Sequence, residues 1–214
     1  RQAVLNMLVQ RENEISNFVK RPFYKVKLSN GAEWFDNDVD CLSERIAAKK
    51  ILEICKGQPV TVKSITSQKK KENRPLLFSL TSLQIAANDE LGFSAARTLS
   101  VMQSLYEKKL LTYPRTDSNY LTDDMADILP ERVGMLRAFE EKAVNILLAN
   151  GLNIDGRIIN NAKVSDHHAI IPTENIGSAV NMELTPDEKQ ILHLVIRRLL
   201  EALSRQYESL DIEY

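Results

Sequence analysis

Tyr113, Arg115 and Asp117 occupy alternate positions in the stretch Leu110-Leu111-Thr112-Tyr113-Pro114-Arg115-Thr116-Asp117-Ser118. In an extended chain, residues two apart point to one side, so phenol, guanidinium and carboxylate could share a face. A phenol with its ordinary pKa of about 10 is almost wholly protonated at neutral pH and attacks poorly unaided. A guanidinium two residues along favours the phenolate and neutralises charge that builds on a phosphorus or carbonyl centre under attack. Pro114 stiffens the link between them. The chemistry open to such a set is covalent catalysis through the phenolic oxygen. The same residues would equally make a strand edge carrying an exposed ion pair.

A second candidate group lies about fifty residues on, in Ser165-Asp166-His167-His168-Ala169-Ile170-Ile171-Pro172-Thr173. Adjacent histidines on a strand or loop point different ways, so His167 and His168 do not readily chelate one metal ion. Read alone, a histidine beside Ile170-Ile171-Pro172 is a hydrogen-bonded packing residue. Asp36, Asp38 and Asp40 alternate, but no Gly follows at the sixth position and no Glu at the twelfth, so they do not form a calcium loop. No metal site is expected in this chain.

The two motifs together resemble the active-site tyrosine segment and the histidine segment of type IA DNA topoisomerases, in the form with Pro after the tyrosine found in topoisomerase III-like members. The resemblance runs from the helix around Gln10-Arg11-Glu12-Asn13-Glu14-Ile15 to the last tyrosine. It implies transesterification: the Tyr113 oxygen attacks a phosphodiester of single-stranded DNA, leaving a 5′-phosphotyrosine and a free 3′-hydroxyl. Arg115 would stabilise the charged transition state, and His167, matching the family's functional histidine, would hold the phosphate or orient Asp117. Asp166 and Asp117 could fix the His167 tautomer. Thr116, Asp117, Ser118, Arg97 and His168 are the expected DNA contacts. The family's Mg2+ is bound by an acidic domain carrying a Glu and an Asp-x-Asp cluster, to which nothing here corresponds. The chain is therefore expected to be a central fragment, inactive alone, of a cytoplasmic and monomeric enzyme.

Composition sets wider bounds. The 214 residues are 43% apolar and 27% charged, ordinary for a globular protein, and the formal net charge of −1 announces no nucleic-acid binder. No apolar run approaches the roughly 20 residues of a bilayer span. Cys41 and Cys55 form no Cys-x-x-Cys pair, so neither a zinc site nor a redox motif is readable.

The elements that must position these groups follow from periodicity. Residues 3–19 read as an amphipathic helix and 23–35 as a hairpin about Asn30-Gly31. Asp40 caps a helix over 42–56 whose inner side is Ile46, Ala47, Ile51 and Ile54, and residues 60–67 alternate as a strand. Lys69-Lys70-Lys71-Glu72-Asn73-Arg74 reads as a basic loop, either solvated or touching phosphates. Thr81 and Gln84 form a capping box for a helix ending at Gly92, and Ser94 caps the next. This pair and the extended Leu110-Leu111-Thr112 resemble a helix-turn-helix leading into a wing, with Ser94, Arg97 and Gln103 able to face a phosphate. Thr122-Asp123-Asp124 starts a helix that Pro130 interrupts. Helices over 137–149 and 186–204 follow, the latter opened by Thr185-Pro186-Asp187-Glu188, and a strand closes the chain at 207–214.

The expected fold is α+β and mainly helical. A helical lobe over 79–206 carries the tyrosine, and an antiparallel β arch comprises 21–78 and 207–214. Residues 1–20 are a helix from a preceding domain. Two alternatives accompany the topoisomerase reading: a non-catalytic helix-turn-helix DNA-binding module, and a tyrosine recombinase fragment.

Overall fold

The computed structural model describes residues 2–29, 34–36, 45–59 and 61–213. They form two compact units, residues 1–65 and Thr66–Glu213. Unit 1 holds helix α1 (Gln2–Ser16), strands β1 (Lys27–Ser29) and β2 (Trp34–Asp36), and helix α2 (Arg45–Cys55). The two strands pair antiparallel with Leu28 opposite Phe35, as a hairpin requires. The Asn30-Gly31 turn, Asp38 and Asp40 lie outside the described residues. One expectation fails here. The apolar side of α2 is not buried: Ile46 is 79% and Ile54 62% exposed, and α1 likewise leaves Leu8 60% exposed. An apolar helix face is buried only where a second layer packs on it, and no described side chain of these two helices is buried.

Unit 2 begins with strand β3 (Thr66–Glu72), continues through helices α3 (Leu80–Leu91), α4 (Ala95–Glu107), α5 (Leu129–Met135), α6 (Arg137–Asn150) and α7 (Pro186–Leu203), and ends with strand β4 (Tyr207–Glu213). The pattern placed a strand over 60–67 and a loop over the lysines, whereas Lys69, Lys70 and Lys71 are the middle of β3. Seven residues of β3 pair antiparallel with β4, Thr66 opposite Glu213 through Glu72 opposite Tyr207, and Lys71 Nζ meets Glu208 2.8 Å away. A ladder with a strand more than a hundred residues away supplies the hydrogen bonds that local composition could not foretell. Arg74, placed by sequence in the same basic loop, is buried. It donates to the Asn153 and Ala202 carbonyls at 2.8 and 2.9 Å and pairs with Asp155.

Helix α7 is the axis of unit 2, packing against α3, α4 and α6. Its capping box is the expected one: Thr185 Oγ1 accepts from the Glu188 N–H at 3.2 Å, and Glu188 Oε2 accepts from the Thr185 N–H at 2.8 Å. Ten of its 18 residues are buried, wider than the single stripe of a surface helix, because it is covered on several sides. Phe78, Leu83, Met102, Leu105, Leu121 and Leu129 complete the core. Each fully buried side chain of this size contributes about 1.5–3 kcal/mol.

Three helix starts differ from the sequence reading. The α3 capping box is Ser79 with Ser82 rather than Thr81 with Gln84, because serine hydroxyls reach the first-turn N–H groups as well as the expected pair would. Asp123–Met125 is a single 3-10 turn without a side-chain cap. Pro130 opens α5 instead of interrupting a helix, the first-turn position where its missing N–H costs nothing. Helix α3 ends at Gly92 with φ +68°, and Ser94 Oγ caps α4 by accepting from the Arg97 N–H at 3.2 Å. The fold is mainly helical with small antiparallel β pairs, as expected. Among the described residues no helix is long and apolar enough to cross a membrane.

Candidate active site

Two residues past the end of helix α4 the chain turns at Lys109, which is in the left-handed conformation (φ +59°), with the Leu110 N–H bonded back to Leu105 O at 2.9 Å. This reversal sends Leu110-Leu111-Thr112 alongside the histidine segment. The Thr112 N–H donates to Ile171 O and the Thr173 N–H to Leu110 O, both at 3.0 Å, around an antiparallel bridge between Leu111 and Pro172. The extended segment thus pairs with the histidine-bearing strand. Thr112 Oγ1 adds a second tie, accepting from the Ile171 N–H at 3.0 Å and donating to Ala169 O at 3.3 Å.

This pairing brings Tyr113 and His167 together from positions 54 apart in sequence. Their ring centroids lie 4.3 Å apart at a 41° tilt, and Tyr106 meets Tyr113 edge-on at 5.5 Å. Both rings fix the phenol's direction. Tyr113 is half-buried, and its hydroxyl makes no hydrogen bond with a described residue. It borders a cleft of about 260 Å³ lined by Tyr113, Thr122 and Val164 to His168.

Beyond Tyr113 the chain alternates as extended backbone should: Pro114, Thr116 and Ser118 are buried, Arg115 and Asp117 exposed. Arg115 forms no ion pair with a described carboxylate. Neither Asp117 nor Asp166 hydrogen-bonds the His167 ring. The hydroxyls of Thr116 and Ser118 are committed internally. Thr116 Oγ1 donates to His167 O at 2.8 Å, and Ser118 Oγ donates to Lys163 O at 2.9 Å. His168 Nδ1 donates to Ala169 O at 2.7 Å, which leaves Nε2 as the acceptor of the neutral ring. Arg97 lies elsewhere in the contact pattern: it grips both Asp187 oxygens at 2.8 Å and stacks on Phe93. Gln103 donates to Glu107.

Three supporting contacts have no signal in the sequence. Arg132, on α5, holds Pro172 O at 3.3 Å and Glu174 at 3.0 Å, steadying the end of the histidine segment. Glu188 accepts from Ser104 Oγ at 2.7 Å and Lys108 Nζ at 2.6 Å, tying the end of α4 to the start of α7. Burial alone would raise the Glu188 pKa, but bonds from Lys108, Ser104 and the Thr185 N–H together with the Lys108 charge bring it down to about 2. Tyr120 and Lys163 also meet, at 3.1 Å. Each depends on residues brought together by the fold, which spacing along the chain does not reveal.

Among the described residues no group of three or more His, Cys, Asp or Glu side chains is placed to hold a metal ion. A Mg2+ site of the family's acidic kind does not fit the donors present.

A tyrosine cleft set against a histidine segment stands on a helix pair followed by an extended strand, and the sequence that builds it matches, over residues 2–214, a family model described as DNA topoisomerase. The chain belongs to that family, the type IA enzymes its two motifs resemble, and this sets the tyrosine recombinase reading aside. Among its relatives, DNA topoisomerase 3 of Bacillus cereus (strain ATCC 10987) is 38% identical over 96% of this chain and 29% of that protein. DNA topoisomerase 3 of Shouchella clausii is 37% identical over 92% of this chain and 28% of its own length. The chain thus spans under a third of the length of these two relatives. A crystal structure of full-length topoisomerase I from Thermotoga maritima shares the fold, with a TM-score of 0.68 and 23% identity, over 97% of this chain and 34% of that one.

Proposed function

We propose that this chain is the strand-cleaving part of a topoisomerase that opens and reseals one DNA strand. The carrying observation is the Tyr113 hydroxyl, which edges a cleft with no hydrogen bond to a described residue, its ring in contact with both His167 and Tyr106. In the reaction the phenolic oxygen forms a bond to phosphorus as the bond from phosphorus to the 3′-oxygen breaks. The phenolic proton is lost and the departing 3′-oxygen gains one, so a 5′-phosphotyrosine and a 3′-hydroxyl result. Reversal reseals the strand with no external energy source, because the phosphodiester's energy is kept in the new ester. Exposed Arg115 stabilises the charge gathered on the phosphate oxygens. His167, packed on the phenol, contacts the same phosphate, with Asp117 and His168 at the margin. Thr116 and Ser118 act from beneath, holding the loops on which these groups stand.

Single-stranded DNA is the proposed partner, the cytoplasm the compartment, and the monomer the working form. Mg2+ is a cofactor of the longer enzyme, held by residues outside those described. Residues 66–72 and 207–213 form the base of the arch that parts during strand passage.

The test is covalent trapping on a single-stranded oligonucleotide by the longer protein, this chain joined to a type IA acidic domain, with Mg2+ present. An adduct linked through a 5′-phosphate is expected, and Tyr113→Phe abolishes it while binding survives. An adduct that persists in that variant, or one linked through the 3′ end, overturns the proposal. The paired helices α3 and α4 favour one other reading, a non-catalytic helix-turn-helix module. It predicts that Tyr113→Phe matches the parent in every DNA assay.

A further inference from the structure

Ser118 was expected to contact DNA, yet it is buried and its hydroxyl serves two other residues. Its Oγ accepts from the Tyr120 N–H at 3.1 Å and donates to Lys163 O at 2.9 Å. One hydroxyl from the tyrosine segment therefore fixes the backbones of Tyr120 and Lys163, which are 43 positions apart in sequence. Their side chains meet as well: Lys163 Nζ donates to Tyr120 Oη at 3.1 Å and lies 4.8 Å from the centre of its ring.

The pair lies beside the cleft. Leu121 is fully buried, whereas its neighbours Tyr120 and Thr122, on the opposite side of the extended segment, are half-buried, and Thr122 lines the cleft. Lys163 immediately precedes Val164, another lining residue. The donor count suits an anion. Because Tyr120 Oη accepts from the ammonium, its own O–H remains to donate, and the ammonium keeps two further N–H groups. No described carboxylate pairs with Lys163, whereas Arg74, Arg97, Lys108, Arg132 and Arg197 all have one. Asp123, in the turn facing Asn161, is taken up by the Asn161 amide at 2.6 Å.

We infer that Tyr120 and Lys163 form a phosphate-binding point beside the Tyr113 cleft, taking a neighbouring phosphodiester of the strand that is cleaved. The inference rests on the strand-cleaving reading and extends it. Two anchors define a direction: the strand runs from the Tyr113 cleft past Thr122 to this pair. An ammonium that already rests on a phenol reaches a phosphate oxygen with less loss of side-chain freedom than a lysine extended into solvent. Ser118 and Thr116 are then positioning residues, Ser118 for this pair and Thr116 for His167.

Salt-dependent binding of a fluorescent oligothymidylate to the full chain tests the assignment. For single strands, each phosphate contact contributes about 0.7 to the slope of log K against log salt, or about five-fold in affinity at about 0.1 M salt. Lys163→Gln should lose about that slope and that affinity, Lys163→Arg should restore the slope, and Tyr120→Phe should weaken binding with the slope unchanged. Lys163 is exposed, so the variants should unfold at the parent's temperature, which circular dichroism checks. If Lys163→Gln keeps the parent's slope while the parent binds and Tyr113 forms its adduct, this subsite alone is overturned. A parent with no salt-dependent affinity for the oligonucleotide overturns both this inference and the strand-cleaving reading.

Discussion

In the proposed strand cleavage, removing the guanidinium of Arg115 would take a charge from the transition state while leaving the fold alone, since that side chain is exposed. Arg115→Ala in the longer enzyme should slow cleavage by about 10²–10³-fold, the scale of one lost electrostatic stabiliser, measured by single-turnover adduct formation. An unchanged rate would show that another cation serves the phosphate. Thr116 belongs to a different class. Its hydroxyl bonds His167 O at 2.8 Å and the Ser118 N–H at 3.1 Å. Thr116→Val strands one partly buried acceptor and one buried donor, so it should cost about 1–3 kcal/mol in urea unfolding, whereas Thr116→Ser should keep most of it. Tyr113 stood out in the sequence because a phenol and a guanidinium are two residues apart. Its partnership with His167 was legible only as a resemblance, since no spacing rule joins residues this far apart.

At the scale of elements, α4 and α7 carry two opposite devices. The Glu188 carboxyl, nearly buried, stands at about 2 instead of the ordinary 4.5. Its folded value lies below its unfolded one, so its contribution is fully present above about pH 4.5 and is lost as pH falls through about 2. The shift corresponds to about 3 kcal/mol. Unfolding free energies measured across that window should fall for the parent and fall less for Glu188→Gln, which starts lower at neutral pH. Lys109 is the reverse case, a side chain placed where glycine is easiest. With φ +59° it bears a left-handed cost of about 1–2 kcal/mol, so Lys109→Gly should be neutral or stabilising by up to about 1 kcal/mol. A clear loss of stability would mean that the lysine side chain supplies a contact outweighing its backbone cost. The Thr185 cap could be read from four consecutive residues, but the left-handed turn at a lysine could not.

For the molecule as a whole, a net charge of −1 means that any DNA affinity comes from local cations rather than from a global field. Affinity for single-stranded DNA should be weak and should fall steeply with salt, as fluorescence anisotropy would report. Equal affinity at low and high salt would point to a different partner. The paired strands β3 and β4 join the helical core next to Arg74, whose guanidinium holds carbonyls from the 153–155 loop and the last turn of α7. Arg74→Met takes the donor from both carbonyls, one buried and one partly buried. It should destabilise unit 2 by about 2–4 kcal/mol, and amides of residues 66–72 should exchange faster with solvent.

The sequence by itself determined what short-range rules control. These are the tyrosine, arginine and carboxylate on alternate positions, the caps at Ser94 and Thr185, the glycine stop at Gly92, and the apolar side of α7. Each is set by backbone sterics or by hydrogen bonds spanning a few residues. Tertiary structure alone decided the rest. The lysine run became a strand because Tyr207–Glu213 returned to pair with it. Arg74 went inside because carbonyls from two other segments converged on it. Ser118 turned from the solvent because its hydroxyl could satisfy Tyr120 and Lys163 together. In every one of these cases at least one partner lies tens to more than a hundred residues away. The free energy that decides the outcome does not exist until the chain has closed on itself.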